Sequence, residues 1–147
     1  MRADPTASAL FLGAFFDELE RWGVHDVVVS PGSRSTPLAL AMLRQPRLRC
    51  HVAIDERSAA FFALGIARVQ QRPVLLLATS GTAPANWLPA IVEAAQACIP
   101  LVAISADRPP ELQSCGANQT VSQTAMFAPY VRAAHALGTP FPEFAPG

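Results

Sequence analysis

Short runs of β-branched and aliphatic residues alternate along this chain with longer segments that repeat apolar residues at helical spacing. The clearest run is residues 73–79 (PVLLLAT), and residues 25–30 (HDVVVS) form a second. Neither run alternates apolar with polar residues, which is typical of strands buried on both faces of a sheet. Because strand and helix patterns follow one another in turn, the sequence predicts an α/β domain with a mostly parallel sheet and helices on both faces.

The other elements follow from periodicity, capping residues and prolines. Three further strands are predicted at residues 50–54, 100–105 and 130–134. The predicted helices are residues 6–22, a helix capped by Ser33 or Ser35 that ends before Pro46, residues 58–70 after a cap at Asp55, and a helix from the turn at 80–82 to residue 98. Pro89 is expected to kink the last of these helices, because proline lacks the N–H that a helix interior requires.

Composition limits the class of protein. Of 147 residues, 51% are hydrophobic and 15% are charged, and eleven cations, all of them arginine, balance eleven acids. A chain this apolar with no net charge is expected to fold rather than stay disordered, and it has no excess of cations for binding nucleic acid. The length predicts one domain, at residues 1–139, followed by a proline-rich tail at 140–147 that we interpret as a linker or a truncated end.

Three cysteines, Cys50, Cys98 and Cys115, stand far apart and form no set with the spacing of zinc ligands. We expect them to be buried or half-buried reduced thiols, which fits a cytoplasmic protein. The apolar segment 9–16 could imitate a signal peptide, but acidic residues follow it where a cleavage site should stand, so an amphipathic helix fits better. No apolar run approaches the roughly 20 residues of a membrane span.

Polar and charged residues gather where the predicted strands end. The four exits are SPGSRS (residues 30–35), DER (55–57), TSGT (79–82) and SADRPP (105–110). Ligands of open parallel sheets bind beyond the carboxyl ends of the strands, and these exits are expected to meet at that edge. The sequence therefore predicts a site there with two arginines, one or two acids and several hydroxyl groups.

Each of these features also has a structural explanation. Asp55 and Glu56 are typical of helix caps, residues 80–82 fit a tight turn, and neither GxGxxG nor GxxxxGK[ST] is present. Arg34 and Arg108 could pair with surface acids, and Gln119 could satisfy loop backbone groups. Three scattered histidines indicate neither a catalytic triad nor a ligand set. The apolar side chains of the third helix that we expect in the core, rather than as a platform for a cofactor, are Phe61, Phe62 and Leu64.

Four strings carry a resemblance to a known family: SPGSRSTPLALA (30–41), DERSAAFFALGIA (55–67), TSGTAPANWLPAIVEA (79–94) and ISADRPPELQSCGANQT (104–120). Together they resemble the amino-terminal domain of the 2-succinyl-5-enolpyruvyl-6-hydroxy-3-cyclohexene-1-carboxylate synthases, thiamine-diphosphate-dependent enzymes of menaquinone and phylloquinone biosynthesis. The PGSRSTPL and SADRPPEL…CGANQ pieces are the most specific to that family. The acid and glycine features are shared more widely among thiamine-diphosphate enzymes.

The resemblance implies a domain that binds the aminopyrimidine of thiamine diphosphate, in a three-domain transferase whose diphosphate- and Mg²⁺-binding domain is absent from this chain. It implies that Glu56 hydrogen-bonds the pyrimidine nitrogen and helps to activate the cofactor, which decarboxylates 2-oxoglutarate and adds the succinyl carbanion equivalent to isochorismate. The implied isochorismate contacts are Ser33, Arg34, Arg108 and Gln119, and the implied cofactor contacts are Glu56, Ser80, Gly81 and Thr82.

The resemblance also implies a homodimer or tetramer, in which this domain faces the diphosphate-binding domain of another protomer. The last helix of the family's domain would follow residue 147. Because the diphosphate-binding domain is absent, we expect the chain to be inactive alone. Two alternatives stay open. One is the pyrimidine-binding subunit of a split thiamine-diphosphate decarboxylase, and the other is a non-catalytic interaction module with the same fold.

Overall fold

Strands and helices alternate in a computed structural model that describes residues 5–138. The strands of this part are β1 (Asp26–Val29), β2 (Arg49–Val52), β3 (Val74–Ala78) and β4 (Leu101–Ser105). The α-helices are α1 (Pro5–Arg21), α2 (Thr36–Leu43), α3 (Glu56–Gln70) and α4 (Leu88–Gln96). Three 3-10 turns lie at Ser33–Ser35, Pro84–Trp87 and Pro110–Leu112.

The four strands form one parallel sheet in the order β2-β1-β3-β4. From β1 the chain crosses to β2 on one side, and it then returns to add β3 and β4 on the other side of β1. Helices α1 and α2 pack on one face and α3 and α4 on the other, as right-handed crossovers in opposite directions require. The predicted fold class is confirmed. The change of direction places a crevice at the carboxyl ends of β1 and β3, where ligands bind in such sheets.

The two central strands are buried on both faces, as their apolar runs predict. Val28 and Leu76 belong to the cluster beneath α3 and α4, whereas Val27 and Leu75 belong to the cluster beneath α1 and α2. Successive side chains of a strand point to opposite faces, so a strand covered on both sides is apolar along nearly all of its length, with Asp26 at the start of β1 as the exception.

Helix α3 buries a face made of alanines: Ala59, Ala60, Ala63 and Ala67. These small side chains let the helix lie close to the sheet, and they turn the aromatic residues to the opposite face. Phe61 is 43% exposed and Phe62 is 50% exposed, so the prediction that they belong to the core was wrong. Leu64 is half-buried.

Two of the predicted elements differ in the structure. Residues 130–134 form no strand, because turn hydrogen bonds such as Tyr130 N to Phe127 O hold the segment that leads into them, and Phe127 and Val131 pack on the core from irregular backbone. Pro89 does not kink a continuous helix. It lies in the first turn of α4, where its missing N–H breaks no hydrogen bond, and the 3-10 turn at Pro84–Trp87 precedes it.

Three smaller predictions also need correction or fall outside the described residues. Neither serine caps α2 through its side chain, because Ser35 Oγ donates back to Gly32 O at 2.9 Å. The three cysteines are free but exposed rather than buried. The proline-rich tail at 140–147 lies outside the described residues. Among residues 5–138, no helix has the length and apolar character needed to cross a membrane.

A buried acid joins β1 to β2 at the amino ends of these strands, opposite the predicted site. Asp26, whose side chain is 3% exposed, accepts a 2.6 Å bond from Arg49 Nη2 and lies 2.8 Å from His51 Nε2. Burial by itself would raise the pKa of Asp26, but hydrogen bonds to His51 and Arg49 and the Arg49 charge outweigh it and lower this pKa. The scattered histidines of the sequence thus include one that the fold brings to an acid.

Candidate active site

The four strand exits end level with one another at the carboxyl edge of the sheet. Val29 pairs with both Val52 and Leu77, and Ala78 pairs with Ser105. Main-chain hydrogen bonds continue this alignment past the strand ends, from Ser30 N to Leu77 O, from Ala53 N to Val29 O and from Ala106 N to Ala78 O. The exits that the sequence predicts to meet therefore do so.

The exits of β1 and β3 touch at Gly32 and Thr79. A Cβ atom placed on Gly32 would lie 2.4 Å from the Cβ of Thr79, a distance that real atoms do not tolerate. Only glycine lets the β1 loop approach this closely. The next residues, Ser33 and Arg34, form the exposed 3-10 turn beside the crevice.

The two adjacent acids that follow β2, Asp55 and Glu56, have different roles. Asp55 is the N-cap of α3, and its Oδ2 accepts a 2.7 Å hydrogen bond from the main-chain N of Ser58. Hydrogen bonds from Ser58 lower the pKa of Asp55, so this cap carries its charge at neutral pH. Glu56 is the first residue of α3 and is half-buried, and its carboxylate makes no hydrogen bond or ion pair with residues 5–138. The capping role belongs to Asp55, and Glu56 is left unpartnered.

The exits of β3 and β4 are joined by Ser80 and Gln119. The buried Ser80 donates its Oγ hydrogen to Gln119 O, and Gln119 Nε2 donates to Ser80 O, both at 3.1 Å. The next residue, Gly81, has a left-handed main-chain conformation with φ of +79°. A Cβ atom on Gly81 would lie 2.5 Å from Gln119 Cγ. Thr82 is exposed, and within the described residues its hydroxyl makes no hydrogen bond.

Arg108 follows β4 and is only partly exposed. Its main chain is fixed on both sides, because its N–H donates to Asp107 Oδ1 at 2.7 Å and its carbonyl accepts from Gln113 Nε2 at 2.8 Å. The guanidinium Nε is buried without a hydrogen-bond partner in the part of the chain that the structure describes. Neither Arg108 nor Arg34 forms an ion pair with an acid of residues 5–138, so the expected structural explanation for these two arginines has no support there.

A family model for the thiamine pyrophosphate enzymes, described as their N-terminal TPP binding domain, matches residues 12–126 of this chain. This chain belongs to that family. The match spans the whole described sheet and every residue predicted for the site.

Curated relatives agree with this assignment, and a solved structure shares the fold. The 2-succinyl-5-enolpyruvyl-6-hydroxy-3-cyclohexene-1-carboxylate synthase of Dechloromonas aromatica is 72% identical over 125 residues, which are 85% of this chain and 23% of the relative. The synthase of the same name from Thermobifida fusca is 54% identical over 84% of this chain and 22% of the relative. The crystal structure of benzoylformate decarboxylase from Polynucleobacter necessarius shares the fold, with a TM-score of 0.74 at 21% identity, over 92% of this chain and 24% of that chain.

The chain thus spans about a quarter of the length of the curated relatives it matches. Its family depends on thiamine pyrophosphate, also called thiamine diphosphate. In this domain, the unpartnered carboxyl of Glu56 after β2 has the chemistry to hydrogen-bond a ring nitrogen of the cofactor. Residues 5–138 hold no group of three or more His, Cys, Asp or Glu side chains that could bind a metal ion.

The sequence predicts the residues of this edge but not how they are connected. Gly32 against Thr79 and Ser80 against Gln119 join segments that lie 39 or more residues apart, and no local pattern reports such contacts. Ser30 was also missed as an individual residue, and its buried Oγ has no hydrogen-bond partner among the described residues. The only sequence signal for it is a hydroxyl at the end of an apolar strand.

Proposed function

We propose that this chain provides the pyrimidine-binding part of the active site of a 2-succinyl-5-enolpyruvyl-6-hydroxy-3-cyclohexene-1-carboxylate synthase. The observation that carries the proposal is the division of roles at the start of α3, where Asp55 caps the helix and the Glu56 carboxyl has no partner. An unpartnered, half-buried acid at the carboxyl edge of a parallel sheet is suited to hydrogen-bond a ligand. The identity of the relatives, up to 72%, supports this synthase over a split decarboxylase.

In this proposal Glu56 binds the ring nitrogen of the aminopyrimidine. A carboxyl group suits that nitrogen because it can hold a proton or accept one, depending on the state of the ring. When bound, the cofactor supplies an electron sink for decarboxylating 2-oxoglutarate and a carbon nucleophile for the second substrate. The turn at residues 80–82 borders the cofactor through its main chain and the Thr82 hydroxyl.

The arginines of this edge bind the anionic substrate. Isochorismate carries two carboxylates, and guanidinium groups match carboxylates through paired, charge-assisted hydrogen bonds. Arg108 forms no ion pair within residues 5–138, so its guanidinium charge is available to a bound carboxylate. Arg34 and Ser33 approach the same crevice from the β1 exit, and Gln119 approaches it from the loop after β4.

A second domain completes the site in this proposal. Mg²⁺ and the cofactor's diphosphate would bind there. The exposed apolar face of α3, which includes Phe61, Phe62 and Val69, supports contact with another protomer. We therefore propose a homodimer or tetramer. A cytoplasmic location stays a prediction.

A chimera tests the proposed function directly. In the synthase of Dechloromonas aromatica, the 125 matched residues are replaced by those of this chain, and product formation is measured with isochorismate, 2-oxoglutarate, thiamine diphosphate and Mg²⁺. We expect activity close to that of the unmodified synthase, and light scattering is expected to show a dimer or tetramer. A correctly assembled chimera that makes no product would overturn the proposal. The isolated chain is the control and is expected to bind thiamine diphosphate weakly or not at all.

A further inference from the structure

The hydroxyl of Ser80 is already committed within this domain. Ser80 is fully buried, and its Oγ–H donates to the main-chain oxygen of Gln119, a residue on an otherwise exposed loop. The Gln119 side chain returns the contact by donating from Nε2 to Ser80 O. We call this reciprocal pair of hydrogen bonds the Ser80–Gln119 clamp.

The main chain of Gln119 needs such an anchor. Its φ of +57° lies in the left-handed region, which side chains with a Cβ adopt at a cost. Among residues 5–138, Gln119 makes no other hydrogen bond that could impose this conformation. The nearby side-chain bonds of Thr120 and Cys115 are local, to Asn118 O and Leu112 O. The loop is next fixed at Gln123, which accepts from Ser105 Oγ at 2.6 Å and donates from Nε2 to Ala106 O at 3.0 Å.

Gly81 is part of the same arrangement. The Gln119 side chain lies where a Cβ of residue 81 would be, 2.5 Å from Gln119 Cγ. Three features of this turn therefore accommodate Gln119. They are the Ser80 hydroxyl, the Ser80 carbonyl and the space left where Gly81 has no side chain. Gln119 uses one Nε2 hydrogen on Ser80 O, which leaves its second Nε2 hydrogen and Oε1 available.

We propose that Ser80 is a positioning residue, which holds Gln119 in place so that its free amide atoms bind the carboxylate or hydroxyl groups of the substrate. This inference rests on the proposed function, and it replaces a direct contact of the Ser80 hydroxyl with the cofactor. Ser80 thereby acts on substrate affinity through Gln119.

Hydrogen exchange of the chimera tests the anchoring without any need for activity. In Ser80→Ala we expect faster exchange of main-chain amides in residues 112–120 than in the unsubstituted chimera. Thr120→Ala is the matched control, because it removes a hydroxyl-to-carbonyl bond of the same loop that does not reach the β3 exit. Equal exchange in Ser80→Ala and the unsubstituted chimera would overturn the anchoring, whether or not the chimera makes product.

Kinetics then test the action through Gln119. Ser80→Ala is expected to raise KM for isochorismate about five- to tenfold, as the loss of one hydrogen bond does, with kcat and the cofactor requirement unchanged. Thr120→Ala is expected to change KM about twofold or less. In Gln119→Met, adding Ser80→Ala is expected to change KM no further, because the two residues act in series. If the two substitutions instead multiply their effects on KM, and the double variant also requires more cofactor, then Ser80 contacts the cofactor.

Discussion

Asp55 Oδ2 accepts a 2.7 Å hydrogen bond from the main-chain N of Ser58, and this contact assigns the cap of α3 to one of two adjacent acids. Replacing Asp55 with alanine removes the acceptor and leaves a main-chain N–H of the first turn unsatisfied. We expect Asp55→Ala to lower the midpoint of urea unfolding of the chain. Asp55→Asn keeps a side-chain oxygen and is the control, because asparagine caps helices about as well. Equal losses in both variants would contradict this capping role.

Glu56 is expected to matter for activity and not for stability. Its carboxylate makes no bond with residues 5–138, so Glu56→Gln removes no interaction of the described fold. Under the proposed function this change replaces a group that exchanges protons with one that does not, and we expect the activity of the chimera to fall by about 10²- to 10⁴-fold. Urea unfolding of the chain measures stability in parallel. Full activity in Glu56→Gln, or a large loss of stability, would contradict the assignment.

Arg108 is expected to set the affinity for isochorismate. Loss of a charge-assisted hydrogen bond to a carboxylate predicts that Arg108→Ala raises KM for isochorismate about 10- to 100-fold in the chimera. Arg108→Lys is expected to restore only part of the affinity, because lysine lacks the paired donors of guanidinium. Arg72→Ala is the control, since this exposed cation precedes β3 at the opposite edge of the sheet. A similar rise in KM for Arg72→Ala would indicate a general charge effect.

Gly32 is expected to tolerate no side chain. Because a Cβ would lie 2.4 Å from Thr79 Cβ, Gly32→Ala forces the β1 loop away from β3 and should destabilise the chain by about 1–3 kcal/mol. Gly13→Ala is the matched control. Gly13 lies within α1 with no atom within 4 Å of an added Cβ, so this change is expected to stabilise the chain by about 0.5–1 kcal/mol. Urea unfolding of both variants measures the difference, and equal effects would refute the close contact.

Asp26 makes stability depend on pH in the acid range. Its pKa in the folded state is below the ordinary value, so its stabilising contribution is complete above that ordinary value and is lost as pH falls through the lowered pKa. Asp26→Asn is expected to cost about 1–3 kcal/mol at neutral pH and to flatten the acid side of the stability curve. Asp17→Asn, at an exposed acid of α1, is the control. An unchanged curve in Asp26→Asn would contradict the role of this cluster.

Local patterns predicted the fold class and four strands within one or two residues. They failed for residues 130–134, where a fifth strand was predicted but turn hydrogen bonds and the partial burial of Phe127 and Val131 decided the path. They failed again for Phe61 and Phe62, because apolar spacing does not tell which face of a helix is buried. The four alanines of α3 decided that question through their close packing on the sheet.

The sequence by itself determined which residues lie at the carboxyl edge, because strand ends can be located from apolar runs and the turn residues that follow them. It also determined family membership, through motifs that span most of the chain. Only the tertiary structure decided how these residues divide their roles. Asp55 caps while Glu56 is left unpartnered, Arg108 has a buried donor without a partner, and Ser80 holds Gln119. Hydrogen bonds and close contacts between distant segments depend on how the sheet aligns them, and no local stretch of sequence contains that information.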